Sequence, residues 1–126
     1  LNVNTGWIAK FAADGNLYFS WAQSTKPEVL LNVTFEHNST AVAEKDAWKA
    51  GTARLLRLKF EGNALTTAGT FSKKTLIIDL AGKWESFDTL GDQNGNDIVT
   101  GTFRAGYDAT AAKFAEIKVV NETASY

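Results

Sequence analysis

Apolar and polar residues alternate with a period of two through most of this chain, the spacing of strands that turn one face inward. Residues 6–11 set Trp7, Ala9 and Phe11 on one face, and residues 17–22 set Leu17, Phe19 and Trp21 against Tyr18, Ser20 and Ala22. Asp14-Gly15-Asn16 lies between them. All three residues tolerate positive φ, so the two segments read as a hairpin. Lys26-Pro27 breaks the pattern, because proline cannot donate to a central ladder. Residues 28–35 then put Val29, Leu31, Val33 and Phe35 on one side.

Residues 41–50 alone carry a helical signal. Ser39 or Thr40 is placed to cap the first turn, and Gly51 to take the left-handed position beyond the last. At about 100° per residue, Ala43, Ala47 and Ala50 share one face. That face predicts a helix pressed onto a sheet, with Trp48 pointing away. Trp48 then either packs on a neighbouring loop or anchors a contact with another subunit, a role tryptophan favours.

From Thr52 onward every predicted element is a strand. Residues 54–61 alternate Leu56, Leu58 and Phe60 against Leu55, Arg57 and Lys59, and Glu61-Gly62-Asn63 turns them. Residues 66–72 read as a loop. Residues 74–80 set Leu76, Ile78 and Leu80 against Thr75, Ile77 and Asp79, and Gly82 allows a bend before 84–87 continue the strand. A turn over 92–97 precedes a long strand, 97–107, with Val99, Phe103, Ala105 and Tyr107 on one side. Residues 113–121 close the pattern. Short strands at this spacing predict a mainly β fold, a β-sandwich or barrel-like domain with one short helix packed on it. A length of 126 residues is enough for one such domain and too little for two, so 1–126 reads as a single β domain.

Composition narrows the function classes. A net charge of −1 gives no basic surface for gripping phosphates. The absence of cysteine excludes disulfides and thiolate metal sites. No apolar run approaches the roughly 20 residues of a membrane-spanning helix, so no membrane partner is expected. There is no methionine, even at position 1, and the chain reads as part of something longer.

Candidate chemistry is sparse. His37 is the only histidine, and no serine sits in a Gly-x-Ser-x-Gly elbow. Asp92-x-Asn94-Gly95-Asn96 suggests a calcium loop, but Asp97 and Phe103 stand where an EF-hand needs glycine and a bidentate glutamate. Asn32, Asn38 and Asn121 open glycosylation triplets that read as chance matches in a threonine-rich chain. The expectation is no catalytic residue, no cofactor and no metal.

Several segments carry a resemblance. Lys45-Asp46-Ala47-Trp48-Lys49-Ala50-Gly51-Thr52 leads into Leu55-Leu56-Arg57-Leu58-Lys59-Phe60-Glu61-Gly62, then Leu76-Ile77-Ile78-Asp79-Leu80-Ala81-Gly82-Lys83-Trp84. The Asn94-Gly95-Asn96-Asp97 turn and the Glu116 to Glu122 ending follow. In this order they resemble the C-terminal part of major tail proteins, the tail-tube subunits of long-tailed bacteriophages, over most of 42–126. Such subunits are usually longer, so either the other part is absent here or the resemblance is to a smaller relative.

The resemblance implies a virion structural protein made in the host cytoplasm. It implies a homo-oligomer, rings stacked into a tube that meets other tail proteins and lets DNA through without binding it specifically. It also implies a β-sandwich whose long strands join those of neighbours into an inner barrel. Trp48 and the strand bearing Asp97, Val99, Phe103 and Tyr107 are the expected subunit contacts. A second reading is a carbohydrate-binding β-sandwich module of a secreted or cell-surface protein, with Trp7, Tyr18, Trp21 and Trp84 stacking on sugars.

Overall fold

A computed structural model describes residues 1–12, 15, 18 and 20–122. Nine strands and one helix follow in chain order: β1 Asn2–Asn4, β2 Trp7–Lys10, β3 Trp21–Ser24, β4 Glu28–Glu36, α1 Ser39–Lys49, β5 Arg54–Ala64, β6 Lys73–Phe87, β7 Gly91–Gln93, β8 Asn96–Ala105 and β9 Ala115–Val120. Seven strands form one sheet in the order β1-β4-β8-β6-β5, with β7 on β8 and β9 on β6. All pairings are antiparallel. The chain is therefore a mainly β, sandwich- or barrel-like domain with one short helix packed on it.

The expected hairpin forms from β2 and β3 as a separate two-stranded sheet, but its second strand lies at Trp21–Ser24, later than 17–22. The predicted turn residues Asp14 and Asn16, with Leu17 and Phe19, lie outside the described residues. β1 had no pattern of its own and takes its place by pairing with β4. The turn predicted at 61–63 does not form; β5 runs on to Ala64 across an irregularity in its pairing with β6.

β6 is the spine. Its pairing with β8 runs from Phe87↔Gly101 to Gly82↔Ala105, and its pairing with β9 continues along the same edge from Leu80↔Ala115 to Thr75↔Val120. Ala81 joins the two, donating to Phe114 O at 3.0 Å and accepting from Gly106 N at 2.9 Å. Residues 106–114 are thus a loop thrown out of one continuous edge. β6 continues unbroken through Gly82. Gly82 allows a close approach to β8: a Cβ there would fall 2.2 Å from Arg104 O.

A register shift between Trp84 and Ser86 leaves Glu85 unmatched on β8. This bulge matters for the core. Three residues apart on a regular strand, Trp84 and Phe87 would face opposite ways; the extra residue turns both inward, where they are 5% and 9% exposed. Trp84 meets Phe87, Phe103 and Phe35 at centroid distances of 4.9, 5.3 and 5.7 Å. Gly101 gives the two rings room, since a Cβ would stand 3.0 Å from each.

The helix covers this aromatic end. Asn38, rather than Ser39 or Thr40, is its N-cap, its Oδ1 accepting from Thr40 N and Ala41 N. Gly51 takes the expected left-handed φ of 64°. The buried alanines are Ala41 and Ala47, while Ala43 and Ala50 are exposed. Glu44 and Trp48 complete the buried side, so the predicted face was out of phase and Trp48 points towards the sheet. Its ring lies 5.8 Å from Phe87, and its Nε1 donates to Glu85 O at 3.1 Å, satisfying a carbonyl of the bulge. Glu44 accepts from Trp84 Nε1 at 2.7 Å and pairs with Arg54. The gain from burying two indoles outweighs that from a close alanine contact.

Candidate functional site

The face of β6 that carries the core continues beyond the helix. In register across β5, β6 and β9 stand Leu56–Leu80–Ala115, Leu58–Ile78–Ile117 and Phe60–Leu76–Val119. The middle residues Leu80 and Ile78 are buried. Their neighbours are not: Phe60 is 57% exposed, Ile117 58% and Val119 64%. α1 packs over one end of this face, and at the other end Phe60, Ile117 and Val119 stand exposed beside half-buried Leu58 and Leu76. These side chains form a three-strand patch without a single charge. The strands that flank it are also open at their outer edges, since among the described residues β5 and β9 each pair only with β6.

The opposite face of the same half-sheet is built differently. There Thr75, Ile77 and Asp79 of β6 are buried beneath longer side chains from both neighbours. Arg57 donates to both oxygens of Asp79, and Lys113 from the 106–114 loop reaches Asp79 at 3.5 Å and Glu116 at 2.6 Å. Lys118 also pairs with Glu116. The Arg57 hydrogen bonds hold the Asp79 carboxyl below its ordinary range, and the Lys113 contact does the same for Glu116. Lys59, Lys73 and Lys74 pair with Glu61 or Glu122. Paired charges cover most of this face, with Leu55 64% exposed at its edge.

The residues expected to make subunit contacts fall in three places. Val99 and Phe103 are 2% and 0% exposed and belong to the core, because β8 lies inside the sheet between β4 and β6. They offer nothing to a neighbour. Trp48 is half-buried against Phe87. Asp97 sits exposed beside the β7–β8 turn, its carbonyl accepting from His37 N, and Tyr107 stands 71% exposed on the loop after β8. The structure brings no two of the exposed ones together. Sequence reasoning missed Ile117 and Val119, although their alternation with Glu116 and Lys118 was legible; what it lacked was any sign of what lies above them.

The chemical candidates resolve into structural roles. Asn38 spends its side-chain oxygen on the helix cap. Asn32 lies within β4 and accepts from Thr102 Oγ1. Asn94 and Gly95 both take positive φ as a two-residue hairpin turn, with Asp92 Oδ1 accepting from Gly95 N. Among the described residues, no three His, Asp or Glu side chains gather where they could hold a metal ion. Among the described residues, no helix is long and apolar enough to cross a membrane. Of the aromatic set assigned to sugars, Trp84 is in the core. Trp7 and Trp21 are exposed, but the pairs Trp7↔Ser24 and Lys10↔Trp21 put them on opposite faces of the hairpin, so they form no common platform.

No protein family, curated protein or solved structure matches this chain.

Proposed function

We propose that this chain is a structural subunit that assembles with copies of itself, a virion protein of the tail-tube kind whose rings stack into a conduit for DNA. One observation carries the reading: one end of the sheet's core face leaves three large apolar side chains exposed, Phe60 and Val119 in register with half-buried Leu76 and Ile117 in register with buried Ile78. Contiguous apolar surface of this sort marks a contact with another protein surface. The order of segments over 42–126 supports the tail-tube assignment within that class.

Charge supports it as well. A conduit for DNA must not hold phosphates tightly, and Arg57, Lys59, Lys73, Lys74, Arg104, Lys113 and Lys118 are each paired with a carboxylate. Electron microscopy of negatively stained protein at rising concentration tests the proposal. Rings or hollow striated tubes are the expected result; dispersed monomers throughout would overturn it.

A further inference from the structure

We infer that the hairpin of β2 and β3 in one copy lies across the open half-sheet of the next copy, as the second layer that half lacks. The inference rests on the self-assembly reading and names the surface that meets the patch.

The hairpin has the character of an arm without a partner. Every residue of β3 is exposed, as are three of the four in β2. Trp7 is 64% exposed, Phe11 69% and Trp21 55%. A lone two-stranded hairpin is marginal in water, so rings this exposed call for a surface to rest on. Its base is fixed. Gly6 O accepts from both N and Oγ1 of Thr25, at 2.6 and 2.7 Å. Gly6 itself has φ 73°, and a Cβ there would stand 2.5 Å from Thr25 O. The two strands of the arm are therefore clamped together where they leave the sheet.

The two faces of the arm differ. Cross-strand pairing puts Trp7, Ala9, Ala22 and Ser24 on one face, and exposed Phe11 follows directly after β2. The other face carries Ile8, Lys10, Trp21 and Gln23. The first is uncharged, with alanines at its centre and Trp7 at one end. The open half-sheet is likewise uncharged, with branched Ile117 and Val119 along one strand and Phe60 across from Val119. Joining them strands no ion away from water, and the alanines allow two layers to stack at about 10 Å.

Area decides the strength. Trp7 and Phe11 supply most of an arm-side contact on the order of 300–400 Å², against about 800 Å² for a standard stable interface. A single contact is weak and concentration-dependent, suited to a contact repeated around a ring. It is also heterologous, joining one surface to a different one, so copies close into rings or extend as filaments. A patch-to-patch dimer would cover Phe60 and Val119 but leave Trp7 and Phe11 in water.

The absence of native cysteine makes the contact trappable. Ala9→Cys and Val119→Cys variants, mixed and mildly oxidised, should give the 9–119 heterodimer several-fold in excess over 9–9 and 119–119 products. Replacing Ala9→Cys by Lys10→Cys, on the other face of the arm, should remove that excess. A dominant 119–119 product, or a heterodimer no more than the twofold over each homodimer that random pairing gives, would overturn the arm contact. Sedimentation velocity separates this from the broader reading. Trp7→Ser, a substitution outside the core, should raise the concentration needed for assembly at least tenfold. Wild-type protein that assembles while Trp7→Ser assembles equally well would sink the arm contact alone; wild-type protein that never assembles would sink both.

Discussion

Arg57 grips Asp79 through two parallel hydrogen bonds, Nε to Oδ1 at 2.6 Å and Nη2 to Oδ2 at 2.8 Å. The carboxylate is 8% exposed and the guanidinium 60%, so the acid is held in the sheet and the base reaches over it from β5. Lys113 approaches the same carboxylate from the 106–114 loop, adding a tie to the sheet beside the loop's own Asp108–Lys113 backbone pair. Asp79→Ala should cost about 1–3 kcal/mol, less than a fully buried pair because Arg57 rehydrates once released. Urea denaturation measures the loss. Faster amide exchange over 108–113 should accompany it, and unchanged exchange there would refute the tie.

Glu122 fastens the end of the β9 segment to the 65–72 loop. Its Oε1 accepts from Thr66 N at 2.6 Å and Thr66 Oγ1 at 2.8 Å, and Lys74 Nζ lies 3.0 Å from Oε2. The Thr66 amide is the main reason its pKa falls from 4.5 to about 2. A depressed acid stabilises the fold above its ordinary pKa, and that contribution is lost as pH falls through the folded value. The stability difference between wild type and Glu122→Gln should be constant above about pH 5 and shrink between 4.5 and 2. Thermal melts across that range read it directly.

Gly82→Ala should be among the most damaging single changes in the chain. The added carbon would fall 2.2 Å from Arg104 O and 2.8 Å from Ala105 Cα, both backbone atoms that cannot swing aside. Forcing β6 and β8 apart should cost about 3 kcal/mol. Gly69→Ala, with no atom within 4 Å of the new carbon, is the control and should change little.

Trp48→Ala should weaken the fold rather than assembly. The indole is half-buried, rests on Phe87 and satisfies the Glu85 carbonyl. Its loss should cost about 2–3 kcal/mol, below the 3–5 of a fully buried tryptophan. Denaturation midpoints test the cost; a drop in assembly with the midpoint unchanged would instead make Trp48 a contact residue.

Strand alternation was enough to read β4, β5, β6, β8 and β9 from the chain, because each alternates apolar with polar residues over six or more positions. The short strand β1 escaped because three residues carry no period; it forms only because β4 offers an edge. The helix was found but rotated. Its alanines suggested the contact face, while the aromatic set of Phe35, Trp84, Phe87 and Phe103, gathered from three strands distant in sequence, drew Trp48 inward. The open half-sheet was invisible for a related reason. Leu56, Leu58 and Phe60 alternate in the same way whether or not a second layer lies above them, and only the short reach of an 11-residue helix leaves Phe60 bare.

The length of β6 has a mechanical consequence. One strand of 15 residues, about 50 Å end to end, runs beneath both the roofed half and the bare half. Neither half owns a complete set of strands, so they cannot melt separately. A load applied at Val119 passes along the same backbone to the bulge at Glu85. Whatever stiffens the bare half will therefore slow unfolding of the helix-covered half as well, with no contact between the two needed.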